Sequence, residues 1–222
     1  MSKKVNLVVK SVREDNGEII LDLAVPTRVY WVGPGIGGNG ELLRAIQTID
    51  PSNTKLGWEE DTRASGDIKL EDLKGIVKDT SKKILIVASR GCNALPDIMG
   101  AGYKGPILWI NAGRAPSISQ IFSSQNIPHT NTLYLLFSEN YDYGSNKPTD
   151  VKDIPEKLTD EYIMYSIREY IIPHMSPESR IHYKLLKGEG HRPSLLQNEW
   201  ERLIHGGLNE SNMDGFNVFL RD

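Results

Sequence analysis

The chain has 222 residues, 39% hydrophobic and 25% charged, the balance of a globular protein rather than a disordered or fibrous one. A formal net charge of -3 gives no electrostatic reason to expect nucleic acid or an anionic membrane as a partner. One cysteine, Cys92, excludes an intramolecular disulfide and a cysteine-rich zinc site.

The first apolar run, Val5 to Val9, is bounded by lysines and too short for a signal-peptide core. No stretch approaches the roughly 20 apolar residues of a membrane span. The expectation is a soluble, cytoplasmic protein in a reducing compartment. Patterning predicts strands over 5–12 and 18–24 around the turn Asp15-Asn16-Gly17, and a third over 27–32. A glycine-rich loop, Gly33-Pro34-Gly35-Ile36-Gly37-Gly38-Asn39-Gly40, leads into a helix over 40–48. A short strand over 54–58 and a helix over 70–78 come next.

Residues 83–88 (Lys-Ile-Leu-Ile-Val-Ala) have no internal alternation, as expected of a strand covered on both faces of a parallel sheet. A short helix is predicted over 91–99, a strand over 107–111, a helix near 117–122 and a strand over 132–137. The polar stretch 143–155 reads as a surface loop. A long helix over 159–172, a strand over 181–186 and a helix over 194–204 complete the order. Two strands followed by alternating strand and helix imply a single α/β domain, 1–222. The predicted architecture is a three-layer sandwich around a mostly parallel sheet of roughly eight strands.

Functional residues in such sheets gather outside the carboxyl ends of the strands. The 83–88 strand ends in Ser89-Arg90-Gly91-Cys92. A serine at a sharp strand-to-helix turn projects its hydroxyl above the sheet and lets the next backbone N–H face a reacting carbonyl. The same position also suits a helix N-cap. Cys92 reads as a small residue packed behind that turn, although a helix N-terminus can activate a thiol. The strand over 132–137 runs into Ser138-Glu139-Asn140-Tyr141-Asp142, where an acid could hold a histidine in one tautomer. Asp142 is the choice, with Glu139 and Asp150 as lesser alternatives. The last strand leads to Gly188-Glu189-Gly190-His191, a histidine on a glycine-bearing loop; His182 reads as a residue of the sheet face. At the glycine loop, Pro34 has no N–H to offer an oxyanion, which leaves Ile36 as the donor.

Ser89, Asp142 and His191 each follow a separate strand, in the chain order of one hydrolase architecture. With the glycine loop and Asp61-Thr62-Arg63-Ala64-Ser65-Gly66, this resembles the α/β-hydrolase superfamily in compact form, without a large cap. Val87 stands where the elbow usually has a small residue. The resemblance implies a serine hydrolase of an ester, thioester or related acyl bond. Ser89, Asp142 and His191 would form its triad and the N–H groups of Ile36 and Arg90 its oxyanion hole, with no metal or organic cofactor. Its partner would be a small-molecule or acyl substrate, and Arg90 and Arg114 raise the case of an anionic one.

Two other readings compete. Gly33-x-Gly35-x-x-Gly38 after a strand and before a helix satisfies a dinucleotide fingerprint, with Glu59 or Glu60 placed for a ribose, which points to an NAD-dependent oxidoreductase. A non-catalytic, hydrolase-like binding protein would keep the pocket without turnover.

Overall fold

The computed structural model describes residues 8–33, 36–57, 68–111, 129–140, 155–209 and 215–220. Among them the chain begins with two antiparallel strands, β1 (Val8–Asp15) and β2 (Glu18–Ala24). They turn at Asn16 and Gly17, both with positive φ, as a two-residue hairpin connection requires. This pair forms a sheet of its own. It exposes Val12 and Ile19.

The main sheet then follows: β3 (Thr27–Val32), β4 (Thr54–Leu56), β5 (Lys82–Ala88), β6 (Ile107–Ile110), β7 (Thr132–Asn140), β8 (Arg180–Gly190) and β9 (Asn217–Val218). Its spatial order is β4-β3-β5-β6-β7-β8-β9. Every pairing is parallel except the last. The fold is therefore α/β with a mostly parallel sheet, but that sheet has seven strands among the described residues, not roughly eight. The first two predicted strands stand apart, and β9, which patterning missed, is only two exposed residues long.

The central strands, β3 and β5 to β7, are buried on both faces because helices cover both. Alternate side chains point to opposite sides of a strand. Ile84, Ile86 and Ala88 meet α1 (Gly40–Ile49) and α5 (Gln197–Asn209) on one side. Leu85 and Val87 face α2 (Leu70–Lys78), α3 (Leu95–Gly100) and α4 (Asp160–Ser166) on the other. Helix α1 has Asn39 as its cap, whose side chain accepts the Leu42 N–H at 3.1 Å. Helix α5 lies very close to the sheet: a Cβ on Gly207 would stand 2.6 Å from Ile84 Cδ1. A larger residue there would have to push the Ile84 side chain aside.

The predicted helix over 91–99 is a 3-10 turn, Ser89–Ala94, continued by α3, with Pro96 in the first turn. The helix over 159–172 is α only as far as Ser166. It widens to π geometry over Ile167–Ile171, then ends in a 3-10 turn at Pro173. Proline has no N–H to continue an α-helical ladder. The predicted helix near 117–122 lies outside the described residues. No helix among those described is long and apolar enough to cross a membrane.

Candidate active site

The chain order fixes where a crevice must open. From β3 the chain goes first to β4 on one side, then returns past β3 to β5 on the other. The helix after β3, α1, packs on one face of the sheet, and the helix after β5, α3, packs on the opposite face. Connections leaving two adjacent strands in opposite directions leave a gap between them, and in open α/β sheets ligands bind at that switch point. Its two lips are the glycine loop after β3 and the turn at Ser89 after β5.

Ser89 takes φ +50°, in the left-handed region, directly after the extended Ala88. A non-glycine residue there costs roughly 1–2 kcal/mol. An N-cap residue is extended and bonds the following amides. Ser89 does neither, since the cap of the 3-10 turn is Ala88 and the Ser89 hydroxyl makes no hydrogen bond to a described residue. The serine is partly exposed. Arg90 follows in the first turn of the 3-10 segment, where backbone N–H groups have no partner within the helix. Gly91 is buried, and Cys92 packs against the core behind the turn. Val87 points into that core on the face away from α1 and is fully buried.

His191 follows β8, three strands from β5, roughly 14 Å at about 4.8 Å per strand. The structure holds its loop by both ends. The Asn111 side chain, at the end of β6, donates to the His191 carbonyl. Asn39, at the start of α1, donates to the Pro193 carbonyl at 3.2 Å. The Arg192 guanidinium lies against Gly38, where a Cβ would stand 3.3 Å from it. Residues 191–193 therefore run from the end of β6 to the start of α1. The end of β5, with Ser89, lies between those two points. His191 itself is half-buried. No hydrogen bond joins it to Ser89 in this structure.

Asn111 was not among the residues that sequence patterning singled out for chemistry. It too is left-handed, with φ +57°, and it is buried. Its carbonyl oxygen accepts the hydroxyl of the fully buried Ser138 on β7 at 2.7 Å, while its amide nitrogen serves His191. The available signal was an asparagine directly after the apolar run Ile107-Leu108-Trp109-Ile110, at the same strand end as the other candidates.

A second support sits at the root of the histidine loop. Strands β7 and β8 keep register to Ser138 and Leu186, and next pair at Asn140 and Gly190. The extra β8 residues form a bulge, with Gly188 at φ +74°. The Glu139 carboxylate accepts the Gly188 N–H at 2.8 Å, and Lys187 lies 3.9 Å from the same group. Bulges beside functional sites re-aim the side chains that follow. Glu139 is thus engaged with the bulge.

The other candidates divide as follows. Asp142, Asp150, Arg114, Glu59 and Glu60 lie outside the described residues, as do Pro34, Gly35 and the 61–66 segment. Ile36 is fully buried beside α1, and its N–H donates to the Gly33 carbonyl at 3.3 Å, at the long end for such a bond. His182 stacks on Tyr134 with ring centroids 5.0 Å apart, as a face residue would. Among the described residues no group of three His, Cys, Asp or Glu side chains forms a metal-ligand cluster. No protein-family model, curated protein or solved structure matches the chain.

Proposed function

We propose that the chain is an α/β-hydrolase-like serine hydrolase acting on an ester, thioester or related acyl bond. The observation that carries this reading is the left-handed Ser89 at the switch point, with the 191–193 segment braced on either side of it. Backbone strain of this kind persists only where surrounding structure enforces it, and a strained strand-to-helix serine is the nucleophile geometry of this hydrolase class.

In the proposed reaction His191 takes the Ser89 proton as Oγ attacks the carbonyl carbon. The tetrahedral oxyanion is held by the N–H groups of Arg90 and Ile36, the latter exchanging its long bond to Gly33 for a stronger, charged acceptor. His191 then protonates the leaving alcohol or thiol, and water releases the acyl group by the reverse sequence. Asp142 orients His191. In its favour, Asn140 and Gly190 are paired, so Asp142 follows by two residues a position that His191 follows by one. Glu139 is bonded to Gly188, which leaves it the weaker choice.

The strand order also weighs against the dinucleotide reading. In the dinucleotide fold the third strand lies beyond the second, whereas here β5 pairs with β3 on the side away from β4. The test is hydrolysis of short p-nitrophenyl esters and thioesters. Ser89→Ala is expected to lower turnover by at least about a thousandfold with the fold intact. Near-normal turnover in that variant would refute the assignment. Asp142→Asn should also be severely impaired, and Glu139→Gln much less so.

A further inference from the structure

A cavity of about 520 Å³ lies between the end of β8 and α5. Its size falls within the range of small-molecule sites. Ser89, His191 and the glycine loop are not among its lining residues. Leu186 and Leu203, both buried, give it an apolar floor that Leu195 and Phe216 extend.

The charges around that floor are unequal in what they already do. Glu189 accepts the Ser194 N–H at 2.6 Å and the Ser194 hydroxyl as well. Glu199 accepts the Leu196 N–H at 2.8 Å. Lys187 faces Glu139. Lys184 and Arg202 form no ion pair with any described residue. Lys184 instead reaches along the bare backbone of Gly215, where a Cβ would stand 2.8 Å from its Nζ. The lining carries Lys184, Lys187 and Arg202 against Glu189 and Glu199, one net positive charge over an apolar floor, and of these cations Lys184 and Arg202 have no carboxylate partner among the described residues.

We infer that this cavity binds an anionic amphiphile, with a carboxylate or phosphate head at Lys184 and Arg202 and a hydrocarbon tail over Leu186, Leu195, Leu203 and Phe216. Charge complementarity selects the head, and burial of the tail supplies the attraction, at roughly 25 cal/mol per Å² of apolar surface covered. This assignment is independent of the chemistry at Ser89.

The test is a calorimetric titration of the full chain, below micellar concentrations, with decanoate, decyl phosphate and decyltrimethylammonium, followed in parallel by leucine methyl NMR. One-to-one saturable binding is expected for at least one anion, with shifts at Leu195 and Leu203, and none for the cation. The better of the two anions identifies the headgroup. Lys184→Gln with Arg202→Gln should weaken binding at least tenfold. Arg202→Gln alone, at an exposed position, should weaken it severalfold even if the double variant folds poorly. Ser89→Ala should bind as the parent does, which separates this cavity from the crevice. Equal binding of the cation, unsaturable uptake, or undiminished binding without the two cations would overturn the assignment.

Discussion

The two edges of the sheet are built by different rules. At the amino edge each joint is tied by an ordinary side chain in an ordinary conformation. Asp50, before β4, accepts the Val29 N–H at 2.9 Å and pairs with Arg28. Asp79, before β5, accepts the Tyr30 hydroxyl at 2.6 Å, and burial, together with this bond, raises the Tyr30 pKa to about 12. Asn131, before β7, donates to the carbonyls of Tyr103 and Gly105. At the carboxyl edge, Ser89 and Asn111 are both left-handed, and Gly38 leaves space that Arg192 fills. One edge satisfies its polar groups without strain. The other holds strain in place through bonds from neighbouring strands, as sites that must aim a side chain do.

That contrast predicts opposite responses to substitution. Outside the proposed triad, the largest effect should come from Asn111→Ala, which removes the tie between β6, Ser138 and the His191 loop. Turnover should fall by about a hundredfold, the scale expected when a reacting group is misplaced by an ångström or so. Steady-state kinetics on the p-nitrophenyl esters would read it, and an unchanged kcat would detach Asn111 from the site.

At the amino edge, Asp50→Ala should cost about 2–3 kcal/mol of stability, because it strands a buried Val29 N–H and frees Arg28. Activity per folded molecule should remain that of the parent. Urea denaturation paired with active-site titration checks both halves. A loss of specific activity would mean that the edges are less separate than described.

The two edges also differed in how far the sequence exposed them. The parallel sheet was legible because residues 84–88, 107–110 and 133–137 are apolar without alternation, which only two-sided burial explains. Ser89 stood out because it directly follows such a strand, and His191 because it lies on the glycine-bearing loop after the last one. Several features were not. Whether strands 8–15 and 18–24 join the main sheet depends on edge pairing, which no local pattern encodes. The bulge near Gly188 is a register event between two strands and leaves only a glycine as its trace. Asn111 matters through contacts with Ser138 and His191, 27 and 80 residues away, so its own neighbourhood could not reveal it. The same distance hid the bond between Glu139 and Gly188.

A smaller effect sharpens the comparison further. Ser89→Gly removes the penalty of a left-handed non-glycine residue, so it should stabilise the chain by about 1 kcal/mol while abolishing turnover. Thermal unfolding of Ser89→Gly against Ser89→Ala isolates the backbone term, since both lack the hydroxyl. No difference between them would mean that the turn is not strained.

The smallest effect is a pH dependence at the amino edge. Burial lowers the pKa of His129 and His174 below the ordinary 6.5, and their proximity adds to the shift at His129. The unfolded chain therefore takes up protons first. The stability these histidines contribute is whole above pH about 6.5 and declines as pH falls through that value toward their folded pKa values. Urea midpoints between pH 7.5 and 5.5 should fall, and His129→Asn with His174→Gln should flatten the slope. An unchanged slope would remove these histidines from the account.

The central claim, that Ser89 is a nucleophile activated by His191, is tested most directly by intact-mass and peptide mass spectrometry after exposure to a fluorophosphonate. The account predicts a single adduct on the peptide containing Ser89, absent in Ser89→Ala and formed at least about a hundredfold more slowly in His191→Ala. No adduct on the parent protein, or an adduct that persists in Ser89→Ala, would contradict it.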